Sequence, residues 1–204
     1  MKNLLILLIL AGGIYYFYPD LVDFSGAPKV VLFVHKDCGE LCEKGVSHLK
    51  EKNIPFELLD IGASEKNYEK FRRFSNTNAV PVLLVGSNVS QGYHKKRFNE
   101  LLYAIEGDSV FGPQEKMIYE HHYNSDGSPK IVMYGTSWCG YCAKARKGFN
   151  EMGIDYVDWD VEKDSEANRR YKYLEASGYP LIYIGAQRVG SFNEKKIAEI
   201  IREL

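Results

Sequence analysis

Hydrophobic and polar positions along this chain fall into one pattern that occurs twice. The apolar run Lys29-Val30-Val31-Leu32-Phe33, which leads to Cys38, returns as Lys130-Ile131-Val132-Met133-Tyr134, which leads to Cys139. Ile54-Pro55-Phe56-Glu57-Leu58-Leu59-Asp60 returns as Ile154-Asp155-Tyr156-Val157-Asp158-Trp159-Asp160. Val80-Pro81-Val82-Leu83-Leu84-Val85-Gly86 returns as Tyr179-Pro180-Leu181-Ile182-Tyr183-Ile184-Gly185. The three anchors keep their order, with offsets of 101, 100 and 99. A repeat of about 80 residues is too long for a solenoid unit and suits a small domain.

Each copy reads as strand, helix, strand, helix, strand, strand, helix. In the second copy Ile131–Gly135 is a short apolar strand. Ala145, Phe149 and Met152 recur at helical spacing from Cys142 to Met152, and Gly153 closes that helix. Tyr156 to Val161 alternates with period two, as a half-buried strand does. A polar helix over 166–176 follows. Leu181–Ile184 and Arg188–Val189 flank the Gly185-Ala186 turn as a hairpin. The last helix starts at about Asn193, a good N-cap, and turns Ile197, Ile200 and Ile201 inward. A strand–helix–strand start gives a parallel pair, and the hairpin adds antiparallel strands. Residues 107–128 form a polar, turn-rich connector, expected to be open to proteases, with an added strand at about 117–123 or, as its equal rival, no structure of its own.

The start of the chain has a different pattern. After Lys2 and Asn3, fifteen residues from Leu4 to Tyr18 carry no charge, and they end in Ile14-Tyr15-Tyr16-Phe17-Tyr18. An uncleaved membrane helix within 1–26 is expected, with the aromatic cluster at the interface and the globular part periplasmic or otherwise extracytoplasmic. The span is slightly short for a membrane helix. Its rivals are a cleaved signal, for which no good cleavage site is present, and a buried helix. Composition narrows the partners. With 26 Lys and Arg against 27 Asp and Glu, the chain lacks the basic excess that phosphate binding requires, so nucleic acid is not expected. The 15 tyrosines receive no functional account from composition.

The chemistry lies at Cys139-Gly140-Tyr141-Cys142, where a strand meets a helix. There the first sulfur faces converging helix amides and the positive end of the dipole, which favours thiolate. Lys144, Arg146 and Lys147 add positive potential. Cys139 can attack a disulfide, and Cys142, one turn away, can resolve the mixed disulfide. A zinc site built from both cysteine pairs is the rival, but Cys38 and Cys42 are spaced differently and lie a domain away, so no metal is expected.

Residues 130–204 resemble glutaredoxins. Tyr134-Gly135-Thr136-Ser137-Trp138-Cys139-Gly140-Tyr141-Cys142 looks like their active-site strand and loop, with Trp138 also thioredoxin-like. Tyr179-Pro180 stands where the family carries its cis-proline, and Gly190 where a glycine pair follows. The resemblance extends faintly over 29–105. It implies an α/β fold of two tandem thioredoxin-like domains, 27–106 and 129–204, each a four-stranded mixed sheet flanked by helices. It further implies Cys139 as nucleophile, Cys142 as resolving thiol, and a substrate-binding surface of Trp138, Tyr141, Tyr179, Pro180 and Gly190, with the Tyr179 backbone pairing to an extended substrate. No cofactor is required, and glutathione is a candidate co-substrate. Where many members have two glycines followed by acidic residues, this chain has Val189-Gly190-Ser191-Phe192-Asn193, so weak use of glutathione is expected. Lys144 or Arg188 could meet a glutathione carboxylate, Ser191 and Asn193 its amine.

The first copy departs further. Cys38 and Cys42 have one more residue between them, and Asp37, Glu40 and Glu43 lie beside them. Negative charge disfavours thiolate. If both lie on one helix, the i, i+4 spacing is near the limit for a disulfide. A non-catalytic copy, a second slower redox pair, and a metal role all stay open. The chain is thus expected to be a membrane-tethered thiol–disulfide oxidoreductase acting on protein disulfides or thiols. An iron–sulfur-binding or redox-inert interaction module of the same fold is the alternative.

Overall fold

The structure, a computed structural model, describes residues 30–202 and the backbone of 7–10 and 13–16. Strands β1 (Leu7–Leu10) and β2 (Gly13–Tyr16) pair antiparallel. This differs from the single helix expected within 1–26, whose remaining residues lie outside those described. Among the described residues no helix is long and apolar enough to cross a membrane. The chain divides into two units, Met1–Gly107 and Asp108–Leu204.

In the first unit β3 (Val30–Val34) leads through α1 (Glu40–Glu51) to β4 (Glu57–Asp60), which pairs parallel with β3. Helix α2 (Glu65–Arg72) follows, started by Ser64, whose hydroxyl accepts the Asn67 amide. Strands β5 (Val82–Val85) and β6 (Asn88–Gln91) form an antiparallel hairpin, and α3 (Lys95–Glu106) closes the unit. The sheet order is β4-β3-β5-β6. All four residues of β5 are buried, as expected of a strand covered on both faces. Val31, Phe33, Phe71, Val82 and Leu84 form one core cluster.

The second unit repeats this plan behind an added segment. Where an extra strand was expected at about 117–123, the chain forms α4 (Pro113–Tyr119) and a 3-10 turn at Glu120–His122. Local signals favour the helix. Pro113 stands at its first position, and Glu115 reaches back to accept the Gly112 amide at 3.0 Å. The repeat then runs β7 (Ile131–Gly135), α5 (Gly140–Glu151), β8 (Val157–Asp160), α6 (Ser165–Tyr173), β9 (Leu181–Ile184), β10 (Gln187–Gly190) and α7 (Glu194–Arg202). The sheet order is β10-β9-β7-β8, with β7·β8 parallel and the other pairs antiparallel. One face of the sheet carries Met133, Ile182 and Ile184 against Ala145, Phe149, Ile197 and Ile200 of the helices.

The aromatic face of this sheet accounts for part of the tyrosine content. Buried His122 lies among the rings of Tyr119, Tyr134, Trp159 and Tyr183. Its Nδ1 donates to the Gly185 carbonyl at 2.8 Å, which leaves Nε2 to accept from the Tyr134 hydroxyl at 2.8 Å. The Tyr123 hydroxyl accepts the Ala186 amide at 2.9 Å. A Cβ on Gly185 (φ +56°) would stand 2.8 Å from that hydroxyl, so only glycine fits there. Residues 119–123 are therefore built into the second unit.

Candidate functional site

Cys139 is the N-cap of α5. It has extended backbone, and its sulfur accepts the Cys142 amide at 3.2 Å. This cap starts the helix two residues before the expected Cys142. Cys139 is 7% exposed, and Cys142 is fully buried in the core behind it. Both are free thiols. Gly135 makes room for them, since a Cβ there would meet the Cys142 sulfur at 2.9 Å.

The two thiols are pushed in opposite directions. Burial works to raise the Cys139 value, but hydrogen bonds from the Cys142 thiol and from the Cys142 and Tyr141 amides, with the charge of Arg146, bring it below the ordinary thiol value. Burial, the hydrogen bond to Cys139 and the Cys139 charge push Cys142 up to about 11. Arg146 is fixed rather than free. Its Nε donates to Asp158 Oδ2 at 2.6 Å, and its guanidinium also reaches the Thr136 carbonyl at 3.3 Å. Lys144 lies 5.5 Å over the Tyr141 ring, and Lys147 pairs with Glu151 at 3.6 Å.

Around the sulfur pair, Trp138 and Tyr141 are 68% and 72% exposed. The Trp138 indole donates to Glu162 at 2.9 Å, and its ring meets the edge of Tyr179 at 6.2 Å. Tyr179 is stacked on Tyr171 at 4.8 Å, and the Tyr171 hydroxyl donates to the Gly178 carbonyl. The Tyr179–Pro180 bond is cis. Gly190 has φ +87° at an irregularity in the β9–β10 pairing. Asp158, Glu162 and Tyr171 carried no local signal. Asp158 and Glu162 look like ordinary outward charges of β8 and the loop after it, and their partners are contributed by distant segments.

Two of the groups offered to glutathione, Arg188 and Asn193, are engaged elsewhere, whereas Lys144 is exposed beside the Tyr141 ring. Arg188 donates to the Leu174 carbonyl and lies over the Tyr183 ring. Asn193 Oδ1 accepts the Lys196 amide as the cap of α7. Phe192, half-buried, packs edge-on against Phe149 at 5.1 Å and covers Gly148. Ser191 alone of that loop's candidates is exposed without such a role.

In the first unit Cys38 and Cys42 are joined as a disulfide, with Cα atoms 5.7 Å apart. The condition of both cysteines lying on one helix is not met. Gly39, at φ +63°, is the N-cap, so Cys38 lies outside α1. Among the described residues no group of three or more His, Cys, Asp or Glu is arranged to hold a metal ion.

Comparison with known proteins points to one family. The family model described as Glutaredoxin matches residues 131–189. A "glutaredoxin-like 8.6 kDa protein in rubredoxin operon" of Clostridium pasteurianum is 31% identical over 61 residues, which are 30% of this chain and 81% of that protein. Glutaredoxin-3 of Bos taurus is 24% identical over 192 residues, covering 91% of this chain and 53% of its own. This chain thus spans about half the length of the Glutaredoxin-3 proteins it matches. Among solved structures, a buckwheat glutaredoxin–glutathione complex is 21% identical, with a TM-score of 0.32 over 46% of this chain and 86% of that one.

Proposed function

Since this chain belongs to the glutaredoxin family of thiol–disulfide oxidoreductases, we propose that its second unit reduces protein disulfides through Cys139 and Cys142. The observation that carries this is the Cys139 sulfur at the N-cap of α5, accepting a helix amide, with the Cys142 thiol beneath it. Cys139 thiolate attacks a substrate sulfur and displaces a substrate thiolate. Cys142 then loses its proton and attacks Cys139, closing the 139–142 disulfide and releasing the second substrate thiol. Two electrons and the Cys142 proton pass to the substrate, and the other substrate thiolate takes its proton from water. Part of the rise in Cys142 comes from the Cys139 thiolate. That part disappears once Cys139 is in a mixed disulfide, so Cys142 becomes easier to ionise when it is needed. Trp138, Tyr141 and Tyr179 provide the apolar surface for an extended segment, whose backbone pairs with Tyr179 beside Pro180.

Glutathione serves poorly in this reading. Arg188 is committed to Leu174 and Asn193 to the cap of α7, which leaves Lys144 for a carboxylate and Ser191 for the amine, and a neutral group holds an ammonium less well than a carboxylate does. We expect slow glutathione-coupled turnover of a small mixed disulfide beside faster dithiol-driven reduction of insulin. Efficient glutathione turnover that saturates at low glutathione would reverse the assignment.

We also propose that residues 1–26 tether the protein to a membrane with the globular units extracytoplasmic. Its support is the uncharged run from Leu4 to Tyr18 behind Lys2. Full-length protein should stay with membranes through an alkaline carbonate wash, and a chain beginning at residue 27 should not. Release of both would remove the tether.

A further inference from the structure

Cys38 and Cys42 occupy the place in the first unit that Cys139 and Cys142 occupy in the second, yet their surroundings are opposite. Cys139 is itself a helix N-cap and receives the Cys142 amide. The extra residue in the first unit gives the cap to Gly39, whose backbone carbonyl takes the Cys42 amide instead, at 3.1 Å. A Cys38 thiolate would lack that donor. Charge acts in the same direction. Residues 36–47 hold Asp37, Glu40 and Glu43 against Lys36 and Lys44, and Lys44 is paired with Glu40 at 2.7 Å. The equivalent stretch, 137–148, holds Lys144, Arg146 and Lys147 and no acidic residue.

A pair whose thiolate is stabilised prefers to be a dithiol, and a pair whose thiolate is not prefers the disulfide. In the structure Cys38 and Cys42 are bonded, and Cys139 and Cys142 are free thiols. Cys38 is also reachable. It is half-buried on the rim of an open cleft of about 460 Å³ lined by His35, Tyr68, Asn78 and Val80.

We propose that Cys38/Cys42 is a second redox centre, more reducing than Cys139/Cys142, whose dithiol passes its two electrons to the Cys139–Cys142 disulfide. This rests on Cys139/Cys142 being an exchanging pair. Cys38 thiolate attacks the Cys139 sulfur and frees Cys142, which takes up a proton. Cys42 then attacks Cys38, closes the 38–42 disulfide and expels Cys139 as its stabilised thiolate. The S–S bond lost at 139–142 is the one gained at 38–42, and no other reactant enters.

The test begins with fully reduced full-length protein mixed with one disulfide equivalent of insulin. Samples are quenched in acid over time, alkylated and mapped by mass spectrometry. The disulfide should form first at 139–142 and settle at 38–42 by at least tenfold, a gap of about 30 mV. Cys38→Ser should hold it at 139–142, and Glu40→Gln with Glu43→Gln should narrow the ratio. A disulfide that forms at 139–142 and stays there in the unaltered chain overturns the relay and leaves the proposed function standing. Oxidation of 38/42 at an undiminished rate in Cys139→Ser overturns it too. No oxidation of Cys139 at any time removes the proposed function and the relay with it.

Discussion

Cys139→Ser should reduce the exchange of protein disulfides to the uncatalysed rate, whereas Cys142→Ser should complete the first step and stop at a covalent adduct. The asymmetry follows from position. Only Cys139 is at the end of α5, where an amide reaches its sulfur; Cys142 is fully buried and its proton is held up to about 11. Removing the nucleophile leaves in this site only a buried thiol whose sulfur is not at the helix end, and the thiolate rather than the thiol reacts. Removing the resolving thiol leaves a mixed disulfide visible as a mass shift on Cys139. Equal residual turnover in the two variants would refute the roles.

The pH dependence has a definite sign. Cys139 titrates below its ordinary value, so its reactive form is fully present above that lowered value and disappears as pH falls through it. The midpoint of iodoacetamide labelling should thus lie below that of an ordinary exposed thiol. Arg146→Gln should move the midpoint upward, since the arginine charge is one of the causes of the shift. An unmoved midpoint would show that the hydrogen bonds from the Cys142 thiol and from the Cys142 and Tyr141 amides set the thiol without Arg146.

The tandem fold could be read from the sequence because its core strands are short unbroken apolar runs. Val82–Val85 and Leu181–Ile184 are buried along their whole length, and each follows an X-Pro step at the same offset. The place of Cys139 at a helix start could be read because a strand, a CxxC and an amphipathic helix follow one another closely. The misreadings occurred where conformation depends on one residue or on distant partners. Whether Cys38 shares a helix with Cys42, four positions further on, depends on Gly39 alone, whose positive φ starts the helix after Cys38. The 117–123 segment alternates weakly, and the alternation outweighed the helix start at Gly112-Pro113. The role of His122 depends on Tyr134 and Gly185, 12 and 63 residues further on, and no local pattern announces such a pair. The supports of the site, Asp158 for Arg146 and Glu162 for Trp138, are hidden for the same reason.

A fragment of residues 108–204 should fold and exchange disulfides, whereas a fragment of 129–204 should be severely destabilised. A polar connector would predict no difference between them. In the structure the segment that separates them supplies Tyr119, stacked on Phe111 at 4.5 Å, and fully buried His122. Deleting it uncovers the aromatic face of the sheet and leaves the buried Tyr134 hydroxyl and Gly185 carbonyl without the imidazole between them. A stranded buried polar group costs about 1–3 kcal/mol, and loss of a large buried side chain about 3–5 kcal/mol. The sum is a large fraction of the roughly 5–15 kcal/mol that holds a domain folded. His122→Ala in the 108–204 fragment isolates the central contact and should by itself cost about 2–4 kcal/mol. Urea unfolding followed by circular dichroism would measure all three species. Matching midpoints for 108–204 and 129–204 would show that the helix and its histidine only lie on the sheet and contribute nothing to its stability.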